Sequence, residues 1–526
     1  MNYGFVIDNR TCIGCHACTV ACKSEHDVPL GVNRTHVKYV EKGTFPNNQR
    51  IFSVHRCNHC EAAPCVDICP TTSLYIRDDG IVDFDSDRCI GCKSCMQACP
   101  YDALYIDPET HTAAKCNFCA HRVDAGYEPA CVIVCPVEAI TSGDLDDPLS
   151  KIAQLVAREQ VTVRKPEKNT RPNVYYIDGD HAMLNPSSAP PQTDYQFSSQ
   201  AAGVGHFAGG DENLLVRMTL EAHREKETAP DWRAIDQVRQ ELVQEAQQLQ
   251  RRVYDVPAKG VLWGWEVTGY LWTKAVAAGT FMVLATQLWL GWSVPPQVQS
   301  AGLAISTVLM LATLALLVKD LDRPGRFVYV LLRPHWTSWL TRGGYIITVF
   351  SGVVMLQWFI LWRGGESWPL LWAVGAPLAV MTAIYTAFLL AQAKGRDLWQ
   401  SATGSLQMFT HSVVAGAAVV SLLNPPALAL TQVILAAGLL AELTLLVLEV
   451  ATHHGSADAA LAIKIITRGP LARTFYTGAL GGGLLPLIMV LAGGPLLVLP
   501  AAILALAGVL LTSHCWLQAP QRVPLS

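Results

Sequence analysis

Apolar positions change their rhythm near residue 260 of the 526-residue chain. Beyond Gly264 they gather into eight stretches, at about 268–292, 300–318, 343–362, 369–393, 405–423, 427–451, 474–493 and 495–516. Each approaches the ~20 residues that a helix needs to cross a bilayer. Eight crossings would return both ends of this half to one side. Before Gly264 the apolar runs are short and alternate. Ser73–Ile76 and Ile81–Phe84 flank the turn signal Asp79-Gly80 and predict a hairpin. Ala103–Ile106 repeats the strand signal after another cysteine group, so this half reads as internally repeated. Residues 185–211 are rich in Ser, Pro, Gly, Ala and Gln and predict a linker. After them Asp231 can cap an amphipathic helix with apolar positions Ile235, Val238, Leu242, Ala246 and Leu249.

Composition sharpens this division. Hydrophobic residues make up 51% of the chain and charged residues 16%, against about 25% charged in soluble domains. Sixteen of the 17 cysteines precede Pro136. A net charge of −4 offers no basic stripe for nucleic acid, so no nucleic-acid partner is expected. The start of the chain shows neither a basic segment followed by an apolar one nor a second arginine beside Arg10. The first half is therefore expected to stay where it is made. Fourteen Lys and Arg of the second half fall on the side shared with the cysteines, and only Arg363 falls on the other. The positive-inside rule then predicts a multi-pass protein of a bacterial or archaeal cytoplasmic membrane, its cysteine half in the cytoplasm. The alternative is that some of these cations dock the cysteine half rather than set topology.

The cysteines form four groups: Cys12, Cys15, Cys18 and Cys22; Cys57, Cys60, Cys65 and Cys69; Cys89, Cys92, Cys95 and Cys99; Cys116, Cys119, Cys131 and Cys135. The first and third are spaced C-x2-C-x2-C-x3-C, and the last three end in Cys-Pro. Three stepped thiolates wrap one cubane while the fourth reaches a neighbouring one, so sixteen thiolates predict four [4Fe–4S] clusters. Zinc sites use separated Cys pairs or Cys/His pairs instead. No dinucleotide fingerprint, P-loop or nucleophile elbow is present, so no catalytic residue is assigned and substrate chemistry is expected in another chain.

With these motifs in this order, residues 1–150 resemble the four-cluster ferredoxin subunit of molybdenum enzymes of the dimethyl-sulfoxide-reductase and polysulfide-reductase type. The resemblance implies one cluster on Cys12, Cys15, Cys18 and Cys135, and another on Cys116, Cys119, Cys131 and Cys22. It implies a central pair on Cys57, Cys60, Cys65 and Cys99, and on Cys89, Cys92, Cys95 and Cys69. Residues 173–186 are similar to the end of such subunits. Some relatives replace a cysteine of the third motif; here all four are present. The second half resembles the polysulfide-reductase (NrfD-like) membrane subunit through Trp263–Glu266, Tyr270–Lys274 with Ala278-Gly279, Asp320–Pro324, and Arg333–Trp339 with Arg342-Gly343. That family is haem-free and carries a quinone site near the ferredoxin subunit. The expected architecture is an α+β ferredoxin-like domain with four cubanes (1–184), a linker with an amphipathic helix (185–262), and an all-α eight-helix transmembrane bundle (263–526).

Polar residues inside the spans give candidates for quinone and proton handling. A charge at mid-bilayer costs some 2.5–3.5 kcal/mol on insertion scales, so Lys274 is expected to be paired and functional. His411 and Glu442 lie at comparable depth, and Glu449 and His453 continue toward the cysteine side. Glu266, Tyr270, His335 and Arg342 complete the set; Arg323, Arg333 and Arg342 can equally mark topology. Trp263, Trp265, Trp272, Trp336 and Trp339 are read as an interfacial belt. Two b-haems would need four axial histidines at matching depths, and only His411 is well inside a span, so no haem is expected. The expected function is an electron-transfer and membrane-anchor subunit. It would join a molybdenum or tungsten bis-pterin catalytic subunit to menaquinone or ubiquinone. Alternatives are an iron–sulfur carrier on a purely structural anchor, and a redox-coupled proton-translocating module.

Overall fold

A computed structural model describes residues 1–44, 47–185, 250–255, 259–423 and 428–525. The capped amphipathic helix expected after Asp231, and nearly all of the expected linker, lie outside the described residues.

The cysteine half is built on strand Tyr3–Asp8, whose Phe5, Val6 and Ile7 are at most 1% exposed. A strand apolar on both faces belongs at the centre of a sheet. Its neighbours are Ile140–Asp144, antiparallel, and Val174–Ile177, parallel. This sheet joins the two ends of the domain, so the first and fourth cysteine groups lie close to each other. The middle groups each precede a hairpin, as the alternation predicts: Leu74–Ile76 pairs with Val82–Phe84, and Leu104–Ile106 with Ala113–Lys115.

A three-stranded sheet was not foreseen. His36–Thr44 pairs with Asn47–His55, and on its other edge with Gln250–Tyr254. The last strand falls inside the segment read as linker. Its attachment is ionic: Lys38 Nζ lies 2.7 Å from Asp255 Oδ1 and Arg252 donates to Asp255 Oδ2 at 2.7 Å, all three residues being buried. Buried charges at Lys38 and Glu41 break the alternation by which the strand would have been recognised.

The second half consists of long helices: α1 (Trp265–Trp289), α2 (Pro296–Lys319), α3 (Trp339–Trp362), α4 (Pro369–Gln392), α5 (Gly404–Leu423), α6 (Leu428–Ala451), α7 (Ala472–Ala492) and α8 (Pro495–Gln521). Seven of them, α2 to α8, are long and apolar enough to cross a membrane. Helix α1 is as long but more polar, for a packing reason. Eighteen of its 25 residues are buried, so it sits inside the bundle against α2, α4, α5 and α8 rather than facing lipid. At its crossing with α5 the backbones touch: a Cβ on Gly279 would lie 1.7 Å from the Ser412 carbonyl oxygen. Small residues permit such contacts between membrane helices. Helix α7 contains a π-helical stretch, Thr477–Leu484, whose Gly482 lies against Gly508 of α8.

The halves are docked through one continuous apolar core that includes Cys69, Cys95, Trp263, Leu389 and Trp516. Several cations counted for topology serve this interface. Lys259 donates to Asp102 Oδ1 (2.7 Å) and to the Leu104 carbonyl (2.6 Å), Arg326 to the Ser86 carbonyl (2.8 Å), and Arg396 to Gln97 Oε1 (2.9 Å). Trp263 is also no belt residue: it is 4% exposed, stacks on Trp399, and donates its indole N–H to the Cys92 carbonyl at 3.2 Å.

Candidate functional site

Each cysteine motif turns at the residue before its second cysteine, where the backbone has positive φ: Gly14 (+67°), His59 (+43°), Gly91 (+70°) and Phe118 (+61°). Two of these are not glycine, and a strained backbone of that kind costs about 1–3 kcal/mol and persists only where its surroundings enforce it. His59 and Phe118 are held by packing on each other and on Phe5. The turns bring thiols from distant parts of the chain together. Burial pushes the Cys12 thiol up, and Cys135 and Cys15 push it further. Burial likewise raises Cys22, with Cys116, Cys131 and Cys119 adding to it, and raises Cys60, with Cys57 and Cys99 adding to it. Cys92 is pushed up to about 12 by burial, with Cys69 and Cys89 as its thiol neighbours. Links also run between these sets: Cys18 senses Cys131, Cys57 senses Cys116, and Cys95 senses Cys65.

Burial makes thiols such as Cys18, Cys57, Cys65, Cys92 and Cys95 hard to ionise on their own, and metal coordination deprotonates a thiol outright. None of them is in a disulfide. Among the described residues no three His, Cys, Asp or Glu side chains gather tightly enough for a single ion. Four groups of four thiols, each drawing on two motifs, fit iron–sulfur clusters, which bind thiolates through several irons. Cys515, the seventeenth, stands apart in α8.

The thiol array has a solvent end and a membrane end. At the first, Cys15 is exposed, and the segments that carry the first and fourth motifs also expose the apolar side chains Ile13 (54%), Val20 (64%) and Ile133 (57%). At the second, the loop between α2 and α3 clasps the Cys69 and Cys89 backbones. His335 Nδ1 lies 2.8 Å from the Cys69 carbonyl oxygen, Ser338 donates to the Ile68 carbonyl at 2.7 Å, and Arg326 donates to the Cys89 carbonyl at 3.1 Å.

Beneath the membrane end opens a cleft of about 740 Å³. Ile90, Cys92 and Ser94 form its roof, and Trp263, Tyr270, Gly344 and Tyr385 are among the residues that form its sides. The lining is mostly apolar with a few polar groups, the character of a pocket for a small organic molecule. Asp320, at the end of α2, also lines it. The Asp320 carboxyl is raised to about 7, chiefly by burial, with Glu266 and Asp322 adding to the rise and Lys93 opposing it. Of the predicted residues, Tyr270 lines the cleft. Glu266 lies beside it, 3.5 Å from Lys319. His335 and Arg342 are outside its lining: His335 holds Cys69, and Arg342 is exposed and donates to the Trp336 carbonyl at 2.6 Å.

Lys274 connects the cleft to the interior. Its Nζ donates to Thr386 Oγ1 at 2.5 Å and sits 4.5 Å above the Tyr385 ring. It also borders an internal cavity of about 20 Å³, shared with Gln407, His411 and Ser513, room for one water. His411 Nδ1 lies 3.1 Å from Ser513 Oγ, and its Nε2 lies 3.4 Å from Glu442 Oε1. Two turns along α6, Glu449 is held by Ser401 (3.0 Å) and Thr403, at a recess of about 400 Å³ that also includes His453. Asp320, Tyr385, Thr386 and Ser513 were missed from sequence. Asp320 sits in a motif already quoted for the family resemblance, and that was its only signal; the hydroxyls are common in any apolar helix.

Comparisons with known proteins cover both halves. The family model described as polysulphide reductase, NrfD, matches residues 256–524. Models for a 4Fe-4S dicluster domain and a 4Fe-4S binding domain match residues 49–145 and 10–25. Among curated proteins, a subunit of tetrathionate reductase from Salmonella typhimurium is 45% identical over 188 residues, 35% of this chain and 75% of that protein. A chain of polysulfide reductase from Wolinella succinogenes is 43% identical over 178 residues, 33% of this chain and 93% of that protein. The arsenate respiratory reductase iron-sulfur subunit ArrB of a Shewanella species is 35% identical over 225 residues, 34% of this chain and 96% of that protein.

Proposed function

The protein belongs to the polysulphide reductase NrfD family, and on that premise we propose that it is an electron-transfer and membrane-anchor subunit linking a catalytic subunit to quinone. Four [4Fe–4S] clusters would supply one-electron transfer when bound. The thiol neighbours support the pairing implied by resemblance: Cys12, Cys15, Cys18 with Cys135; Cys116, Cys119, Cys131 with Cys22; Cys57, Cys60, Cys65 with Cys99; and Cys89, Cys92, Cys95 with Cys69. The links through Cys18 and Cys131, Cys57 and Cys116, and Cys65 and Cys95 arrange these sets in one line from the solvent end to the cleft.

The single observation that carries the quinone reading is the apolar cleft directly under Cys92. A quinone head group there would meet Tyr270, Tyr385 and Asp320, with Lys274 behind Tyr385. His411 and Glu442 stand where protons taken up or given back by the quinone can be held. Helix α1, although more polar than its neighbours, is the eighth span, since a central helix is shielded from lipid by the others. Eight spans put both ends of this half on one side, and the excess of Lys and Arg there supports an iron–sulfur domain that faces the cytoplasm of a bacterium or archaeon.

The exposed apolar side chains Ile13, Val20 and Ile133 on the segments of the first and fourth motifs support a protein partner at the solvent end, because exposed apolar patches mark interaction sites. Three relatives named as parts of reductases support the catalytic chain of a reductase as that partner, and the family resemblance implies that this chain is of the molybdenum or tungsten bis-pterin type. The test uses the complex purified gently from its native membrane. About sixteen irons per chain with one molybdenum or tungsten are expected, and reduction of the clusters by an added quinol. Gly344→Trp, which fills the cleft, should abolish quinol reduction without loss of iron. Iron without either metal overturns the partner, and unchanged quinol reduction in G344W overturns the quinone site.

A further inference from the structure

Arg56 and Lys115 are cations buried among the thiols, with no carboxylate partner among the described residues. Arg56 is 2% exposed and lies where the two sets nearest the solvent end meet. Its Nη1 donates to Cys131 Sγ at 3.2 Å, and its charge acts on Cys18 and Cys116 as well as Cys131. One face of the guanidinium packs on the Phe5 ring, 4.5 Å from its centroid. Its Nε and Nη2 have no hydrogen-bond partner among the described residues. Lys115 is fully buried at the next junction. Its Nζ is fixed by the carbonyls of Val82 and Cys116, the latter at 2.9 Å, and its charge acts on Cys57 and Cys65.

Buried charges are ordinarily paired, and orphaned donors on a buried guanidinium call for an anion. An iron–sulfur cluster bound by four thiolates is such an anion, and hydrogen bonds to its sulfurs and nearby charge set its potential. We propose that Arg56 and Lys115 are fixed counter-charges that raise the reduction potentials of the clusters meeting at these two junctions, so that electrons are not stalled between the solvent end and the membrane end. Each transfer moves one electron from a reduced cluster to its oxidised neighbour; no bond forms or breaks and no proton moves. The electron adds one negative charge to the acceptor, and a cation held in a low-dielectric interior favours that form. The inference rests on the four-cluster reading. It also assigns an asymmetry, because the set held by Cys22, Cys116, Cys119 and Cys131 touches both cations, whereas the set with Cys69, Cys89, Cys92 and Cys95 touches neither.

The experiment is an electron-paramagnetic-resonance redox titration of the whole complex, with iron counted on the same samples. In Arg56→Gln, two of the four midpoint potentials should fall. In Lys115→Met, two should fall, one of them common to both variants. Arg56→Lys, which keeps the charge and loses the fork, should stay nearer the native values. Should R56Q fail to assemble, K115M carries the test alone. Midpoints unchanged in an iron-replete variant, or a change confined to the cluster beside the membrane, overturns the proposal. Native complex with fewer than four cluster signals overturns the four-cluster reading instead.

Discussion

His411 of α5 and Glu442 of α6 face each other across 3.4 Å, buried, with the cavity beside Lys274 on one side and Thr512 of α8 on the other. Two ionisable groups in contact inside a helical bundle are costly to keep unless they act. Glu442→Gln is expected to keep the fold, since the amide has nearly the same shape. A missing proton-transfer group typically costs 10²–10⁴-fold in rate, so quinone-linked turnover should fall at least about 100-fold. Cluster reduction by dithionite should be unaffected. His411→Ala instead leaves the buried acid without its partner, at about 1–3 kcal/mol, and should lower the melting temperature in detergent.

Asp320 makes the cleft pH-sensitive. Its carboxyl is raised by burial to about 7, well above its unfolded value of 3.8. The folded state therefore holds the proton more tightly than the unfolded one. Its contribution to stability is complete below about pH 4 and is lost as the pH rises through 7. Asp320→Asn should raise the melting temperature at pH 8 and leave it unchanged near pH 4. Equal effects at both would show that burial does not govern this carboxyl.

The crossing of α1 and α5 admits no side chain. A Cβ on Gly279 would meet the Ser412 carbonyl oxygen at 1.7 Å, and one on Gly416 would lie 2.0 Å from the Gly279 carbonyl carbon. Overpacking typically costs 1–3 kcal/mol, and clash with rigid backbone costs more. Gly279→Ala should therefore abolish recovery of a monodisperse protein on size exclusion, while Gly352→Ala, with nothing within 4 Å of its Cβ, should purify as the native chain does.

At the solvent end, Ile133→Glu or Val20→Glu places a carboxylate on an exposed apolar position of the first or fourth motif segment. Each should reduce co-purification of the catalytic chain at least tenfold and leave iron per chain unchanged, measured by gel and metal analysis. Full recovery of the partner with both variants would move its docking surface elsewhere.

The sequence is legible where one residue type carries the signal alone. Cysteine spacing needs no tertiary context, and neither does Asp79-Gly80 between alternating strands. Long apolar stretches gave the positions of the membrane helices to within a few residues at most ends, but not which helix would be central. Lys274, His411 and Glu442 were legible because ionisable residues are conspicuous in such stretches. Their convergence was not, because it depends on which faces of α1, α5 and α6 turn inward. Trp263 and Arg326 were read by average behaviour, as a belt residue and a topology marker, whereas each holds a backbone carbonyl of the cysteine half. The cleft itself belongs to no segment, since its roof comes from Ile90, Cys92 and Ser94 and its sides from residues at and beyond Trp263.

The strand Gln250–Tyr254 covers the outer edge of the hairpin built on His36–Thr44, although about sixty residues separate it from the rest of that domain. Dividing the gene after residue 185 to express a separate soluble subunit would leave that edge unpaired, with Lys38 stripped of Asp255. Exposed strand edges template intermolecular pairing. A truncated product would aggregate even with all sixteen ligands present, so a workable cut has to fall beyond Asp255.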